Sequence, residues 1–234
     1  MSLSSQLVMD RLTVRDLRRD WKPIRERLSR ASTPDKQHPL PIRMHRAFSW
    51  IQAIESLDDE THLDQRIVFR WISLNALYGK WDDRLNEPVR DADSLREFCS
   101  KVLRCDRSQS VAAVLKFEEE NVLAILGDKF TNRSFWRCAQ ASKSFRIDRT
   151  YLQGKTWYAQ EKWDMLLENV LSRIYLVRCQ LVHGASTYAS SKNRDMLLRC
   201  DHVLNQLLLA FLLVIIEQAW QEDWGELCYP PMDE

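Results

Sequence analysis

The sequence predicts an all-α protein, and three observations carry that expectation. Apolar residues recur at three- and four-residue spacing along most of the chain, the period of a helix rather than of a strand. The 234 residues include only 5 glycines and 7 prolines, too few for a β protein dense in turns. The most apolar run, "LLLAFLLVII" at 207–216, is about half of the roughly 20 residues that span a bilayer, so it reads as a core helix and no membrane partner is expected. With 45% hydrophobic and 29% charged residues, the chain can bury a proper core without disulfides or a structural metal.

The elements follow in order. Residues 3–30 predict a helix whose apolar stripe is Leu7, Leu12, Leu17, Trp21, Ile24 and Leu28, with eight basic residues between 11 and 30 on the other faces. Pro23 should kink or interrupt it. "ASTPDKQHPLPI" at 31–42 holds three prolines and reads as a linker, giving an N-terminal arm (1–42), a helical body (43–221) and an acidic C-terminal tail (222–234). The body opens with helices over 43–57 and 62–80. In the second, Ile67, Val68, Trp71, Ile72, Leu74 and Tyr78 form the stripe, and Gly79 stands as the cap. Asn75 falls on that apolar side, where a buried amide must be hydrogen-bonded or costs about 1 to 3 kcal/mol; it should hold a neighbouring helix or a site residue. Helices over 93–105 and 109–126 come next, then a short one at 134–144, and 145–157 shows no clear period and reads as loop. Two long helices, 159–182 and 193–221, joined by a polar connector, should pack against each other antiparallel.

Composition narrows the function. The six cysteines form no CxxC pair and no short spacing to a histidine, so no metal site is expected, and they read as reduced thiols of a cytoplasmic protein. The N-terminus runs quickly into charge and lacks a signal-peptide core. The net charge of +1 argues against a general nucleic-acid coat, but the charge is uneven. Residues 131–160 hold six Lys or Arg against one acid, Asp148, interleaved with six aromatic residues. Lys143, Arg146 and Arg149 are candidate RNA contacts there, because cations and aromatic faces suit single-stranded nucleic acid. A solvated loop with its aromatics turned to the core has the same composition. No HExxH, GxxxxGK[ST], GxSxG or glycine-rich fingerprint occurs, and no cofactor is expected.

The remaining feature is "RCQLVHGAS" at 178–186. Arg178 follows Ile174 by four residues and Leu171 by seven, beside the core-facing stripe of its helix. A cation there must snorkel, meet a carboxylate or point into a cleft. His183 comes five residues later, about 140° around an unbroken helix, and Gly184 suggests a turn that brings it back towards Arg178. A helix C-terminus favours an imidazolium through its macrodipole, which suits a histidine to proton transfer. Spacing alone leaves two readings open: a rim arginine with a capping histidine, or a pair for metal-free RNA cleavage.

"YLVRCQLVHGAST", late in a long helix and followed by a polar loop and an apolar helix, resembles the Arg, four to six residues, His motif of the HEPN superfamily (higher eukaryotes and prokaryotes nucleotide-binding domains). "FRWISLNALYGKW" at 69–81 is similar to the first core helix of the larger, Apea-like members. The resemblance covers about residues 43–221. It implies a bundle of four or five core helices with extra N-terminal and inserted helices. It also implies a metal-independent endoribonuclease of toxin–antitoxin, phage-defence or stress systems, with an antitoxin or regulator as a possible partner. Arg178 would stabilise the scissile phosphate and His183 would act as acid or base, the pairs of two protomers forming one composite site in a homodimer. Catalytic members usually carry a polar residue after the Arg, where this chain has Cys179, so the alternative is a non-catalytic module that binds a nucleotide or a partner.

Overall fold

The most apolar stretch of the chain forms its central helix. A computed structural model describes residues 12–31, 38–58, 61–137 and 149–229, with Arg149 described in its backbone alone. The order is α1 (Val14–Ala31), α2 (Pro39–Glu55), α3 (Leu63–Tyr78), β1 (Trp81–Asp82), β2 (Glu87–Pro88), α4 (Asp91–Cys105), α5 (Ser110–Phe117), α6 (Glu119–Gly127), α7 (Arg133–Arg137), α8 (Arg149–Ala159), α9 (Trp163–Val182) and α10 (Arg194–Glu217). The fold is all-α, as the periodicity predicts. The two strands form only a small antiparallel hairpin in which Trp81 faces Pro88 and Asp82 faces Glu87.

Helix α10 is long and apolar enough to cross a membrane by length and composition, yet 72% of that window is buried inside the protein. Leu204, Leu207, Leu208, Phe211 and Ile215 are almost fully enclosed; burying each such side chain stabilises the fold by about 1.5 to 3 kcal/mol before conformational entropy is subtracted. Around it stand α3, α5, α6 and α1, while α3 also packs closely on α2. Leu17, Trp21 and Leu28 of α1 belong to the same buried cluster, so the arm contributes to the core of the body. Pro23 does not interrupt α1: it lies on the exposed face, where water can satisfy the carbonyl that loses its partner. The proline-rich segment also ends earlier than expected. His38 caps α2, its Nδ1 accepting from the Leu40 N–H at 3.2 Å, and Pro39 opens the helix, a position whose free N–H a proline can do without.

Polar groups fix the register of the bundle. Arg70 of α3 is 5% exposed and donates to Asp201 of α10 at 2.6 Å, while Arg66, one turn before, reaches the same carboxylate at 3.2 Å. Asp64 accepts from Arg194 and from the Ala189 N–H, tying the start of α3 to the start of α10. Arg43 of α2 is 1% exposed. It donates to the carbonyls of Ala76 and Gly79 at the end of α3, and to those of Gly225 and Glu226. Burial pushes its guanidinium down to about 10, still charged at neutral pH. Arg46 does the same for the carbonyls of Cys228 and Tyr229. The acidic C-terminal segment is therefore packed as far as Tyr229, with Trp224 buried against Phe98 and Lys101.

Three further boundaries differ from the sequence reading. The stretch 149–157 is helical, because Tyr151, Gly154 and Tyr158 do keep a helical spacing. Its inward-facing position is a glycine, which adds nothing to a hydrophobic pattern but lets α8 approach α6: a Cβ there would stand 3.0 Å from Leu123 and Leu126. The long helix expected from 159 starts at Trp163. Glu161 adopts positive φ, and the Lys162 N–H reaches back to the Trp157 carbonyl, a helix stop built without glycine. The helix expected over 109–126 is broken at Glu118, whose side chain turns inward to His202.

Replacing Arg43 with leucine removes the cation and leaves carbonyls of two segments unpaired. We expect a loss of about 3 kcal/mol in urea unfolding, with faster amide hydrogen exchange concentrated at 223–229; unchanged exchange there would show that Arg43 does not hold the segment.

Candidate functional site

The end of α9 is closed by glycine. His183 is its C-cap, Gly184 follows at φ +71°, the Ala185 N–H donates to the Gln180 carbonyl at 2.8 Å, and the Gly184 N–H points to the Leu181 carbonyl at 3.4 Å. This is the Schellman ending, in which a left-handed residue after the cap returns the chain. The turn comes after His183, whose own dihedrals (φ −91°, ψ 11°) stay close to helical. The helical step of about 140° from Arg178 therefore persists, and Gly184 does not bring the imidazole back. Arg178 lies half-buried at the edge of the core, whereas His183 is exposed on the outer side. Within one chain the two do not meet.

Arg178 has unusual surroundings for a half-buried cation. Its Nε is shielded from water and has no hydrogen-bond partner. Its Nη1 lies 4.0 Å from Cys179 Sγ, its guanidinium stands 6.0 Å from the Tyr175 ring centre, and no carboxylate pairs with it among the described residues. Tyr175 packs on Trp71 of α3, ring centres 5.5 Å apart. Tyr78, two turns along α3, buries its hydroxyl and donates it to Asp91 at the start of α4, at 2.6 Å. Burial first and then the Asp91 carboxylate raise the Tyr78 phenol far above its ordinary value, against the pull of Arg178. Burial, and a hydrogen bond with Cys179, raise Tyr175 as well. Both phenols are neutral hydrogen-bonding groups at physiological pH.

Asn75 lies between Trp71 and Tyr78 on this side of α3. It is half-buried rather than buried, and its Oδ1 sits beside Gly79, 3.4 Å from where a Cβ would be. Among the described residues its amide makes no hydrogen bond to a neighbouring helix. Sequence reasoning missed Tyr78, Asp91 and Tyr175; the only hint was that the tyrosines carry hydroxyls on otherwise apolar stripes. Lys143 and Arg146 lie outside the described residues. Arg149 is the first residue of α8, and its side chain also lies outside them.

A cavity of about 600 Å³ opens between Val177, Gln180, the 185–193 connector and the aromatic Phe130 and Trp136. Neither Arg178 nor His183 lines it. A smaller cavity of about 80 Å³ lies against Tyr175, Asp91 and Cys99, next to the Arg178 group. Comparison with known protein families, curated proteins and solved structures finds no match for this chain. Among the described residues no group of His, Cys, Asp and Glu has the arrangement of a metal site.

A second histidine is held more firmly than His183. His202 of α10, half exposed, meets Glu118 at 2.8 Å, and the carboxylate is 1% exposed. Asn121 donates to the same carboxylate and accepts from Arg199. The bond from Glu118 raises the His202 imidazole above 6.5. Burial opposes ionisation of Glu118, but hydrogen bonds from His202 and Asn121 outweigh it and hold it below 4.5. The pair lines neither of these cavities, and it holds the break between α5 and α6 onto α10.

Two outcomes follow. Gly184→Ala places a side chain in open space but at positive φ, and should lower stability by about 1 kcal/mol in thermal melts. For the pair, the raised imidazole stabilises the fold fully below about pH 6.5 and loses that contribution as pH rises through its folded value; the lowered carboxylate contributes above about pH 4.5 and loses it on acidification. Wild type should therefore lose urea stability as pH rises above about 6.5, and His202→Gln should flatten that slope. An equal slope in both would remove the pair as its source.

Proposed function

We propose that the chain is a metal-independent endoribonuclease of the HEPN type, acting as a homodimer in a defence, toxin–antitoxin or stress setting. One observation carries the reading most: Arg178 is a half-buried guanidinium with no carboxylate partner among the described residues, set against Tyr175 and Cys179, on the same helix end as an exposed histidine. A cation fixed in place without a counter-ion is suited to the non-bridging oxygens of a phosphodiester, whose charge grows in the transition state.

In this chemistry the ribose 2′-oxygen attacks the phosphorus, the bond to the 5′-oxygen breaks, and a 2′,3′-cyclic phosphate and a 5′-hydroxyl result. One proton leaves the 2′-hydroxyl and one reaches the departing oxygen. His183 is the group able to move them, and Arg178 neutralises the phosphorane. Because the two side chains diverge by about 140° on one helix, the site requires His183 or Arg178 from a second protomer. Homodimerisation is thus part of the proposal.

The alternative is a non-catalytic module that binds a nucleotide or a protein partner. Cys179 favours it: its Sγ lies against the guanidinium where a polar neighbour would help to orient the reacting groups.

The test is cleavage of single-stranded RNA in the presence of a chelator. Wild type should cut. Arg178→Ala and His183→Ala should each cut at least about 100-fold more slowly with unchanged melting temperature, and the mass in solution should be twice the 27.7 kDa of one chain. A wild type that binds RNA without cutting it would replace the nuclease by the binding module.

A further inference from the structure

Helix α1 carries seven basic residues against three acidic ones, and the cleavage reading does not use them. Its apolar face is occupied: Leu17, Trp21 and Leu28 are buried in the core. The charged face turns towards α2, and the two helices enclose a groove of about 330 Å³. On the α1 side the groove is lined by Arg18, Lys22 and Arg25, at i, i+4 and i+7, which places them in one row. Arg15 continues the row by a turn. On the α2 side stand His45, Ser49 and Gln52, again at i, i+4 and i+7. One wall is cationic; on the other, Ser49 Oγ already donates to the Arg46 carbonyl at 2.7 Å and keeps only its accepting capacity, beside the Gln52 amide and the His45 imidazole. Trp21 and Phe48 form the floor.

The cations are not spent on one another's neighbours. Arg18 is a strut at one end, donating to the Phe48 carbonyl at 2.9 Å and reaching Glu55 at 3.9 Å, with its guanidinium 5.6 Å from the Phe48 ring centre. Lys22 and Arg25 are exposed and form no ion pair among the described residues, and nor does His45. The row from Arg15 to Arg25 is about 15 Å long, enough to follow several consecutive phosphates of one strand.

We propose that the α1–α2 groove binds the phosphodiester backbone of a single-stranded nucleic acid, with Lys22 and Arg25 as its principal phosphate contacts. Three physical arguments select that partner. A row of Lys and Arg facing a row of hydroxyl, amide and imidazole groups matches phosphate and sugar contacts. The site is a recessed slot rather than an element projecting from the surface, and it admits one strand where a duplex would need something to enter its groove. A bilayer would need a free apolar face to insert, and the apolar face of α1 is in the core. The groove stands independently of Arg178 and His183.

The experiment is fluorescence anisotropy of the full chain with labelled oligouridylate of about 12 nucleotides, across a salt series, in a His183→Ala background so that cleavage does not interfere. Lys22→Gln with Arg25→Gln should weaken binding at least tenfold at low salt. Removing two phosphate contacts should also reduce the slope of log affinity against log salt by about 1.4. Arg96→Gln with Arg104→Gln, which removes two exposed cations elsewhere, should change neither quantity comparably. Unchanged affinity and slope in the groove variant would overturn the proposal, as would polyglutamate competing as well as RNA, or duplex RNA binding more tightly than the single strand. Binding without cleavage by the otherwise wild-type chain would leave the groove standing and remove the nuclease; cleavage with unaltered binding by the groove variant would do the reverse.

Discussion

A guanidinium taken almost wholly out of water needs several acceptors at once, and Arg43 finds them on two pieces of backbone that are far apart in sequence. Ala76 and Gly79 lie at the end of α3, where the carbonyls of a helix terminus lack partners of their own and carry partial negative charge. Gly225 and Glu226 come from the segment after α10. Arg43 itself is on α2. The arrangement closes the chain on itself: the segment after α10 lies over Phe98 with Trp224 inward, and Arg46 extends the same contacts to Tyr229. A carboxylate in place of these carbonyls would make a stronger pair but would hold only one element; the dispersed acceptors hold three.

That junction also sets the environment of Arg178. Because the end of α3 is fixed, Tyr78 meets Asp91 and Trp71 meets Tyr175, so α9 is presented to α3 through aromatic and hydroxyl groups. Arg178 stands beside phenol and thiol groups, and the nearby Asp91 carboxylate is engaged by Tyr78 and forms no ion pair with it among the described residues. The buried ion pairs lie elsewhere, between Arg66, Arg70 and Asp201, and between Asp64 and Arg194, where they align α3 with α10. Those pairs occupy the packed interior, whereas Arg178 at the end of α9 and Lys22 and Arg25 in the groove of α1 form no ion pair among the described residues. Under the proposed function these would be the points where phosphate meets the protein.

The helical body was legible in the sequence because its apolar residues repeat at the right period. The ends of α3, α4 and α10 fall within a few residues of where the pattern and Gly79 placed them. The C-terminal stop of α9 was legible for the same kind of reason, since Gly184 is the residue a left-handed turn needs. What escaped were features whose cause is tertiary. Gly154 hides an inward-facing helical position; Glu161 ends a helix without a glycine; Glu118 breaks one because His202 lies across from it. The direction of His183 was misjudged because the turn that follows a cap does not redirect the cap itself.

The amino-acid order by itself determined that the chain is a helical bundle, which run forms its centre, and that an arginine and a histidine stand on the last turns of one helix, because period and capping are local properties. Tertiary structure alone decided that Arg178 stands beside phenols and a thiol without an ion pair among the described residues, that Arg43 serves as a three-way tie, and that the cations of α1 face the polar row of α2. Those outcomes depend on which residues distant in sequence share a dry space, where an unpaired charge or carbonyl costs most, and no local pattern specifies that.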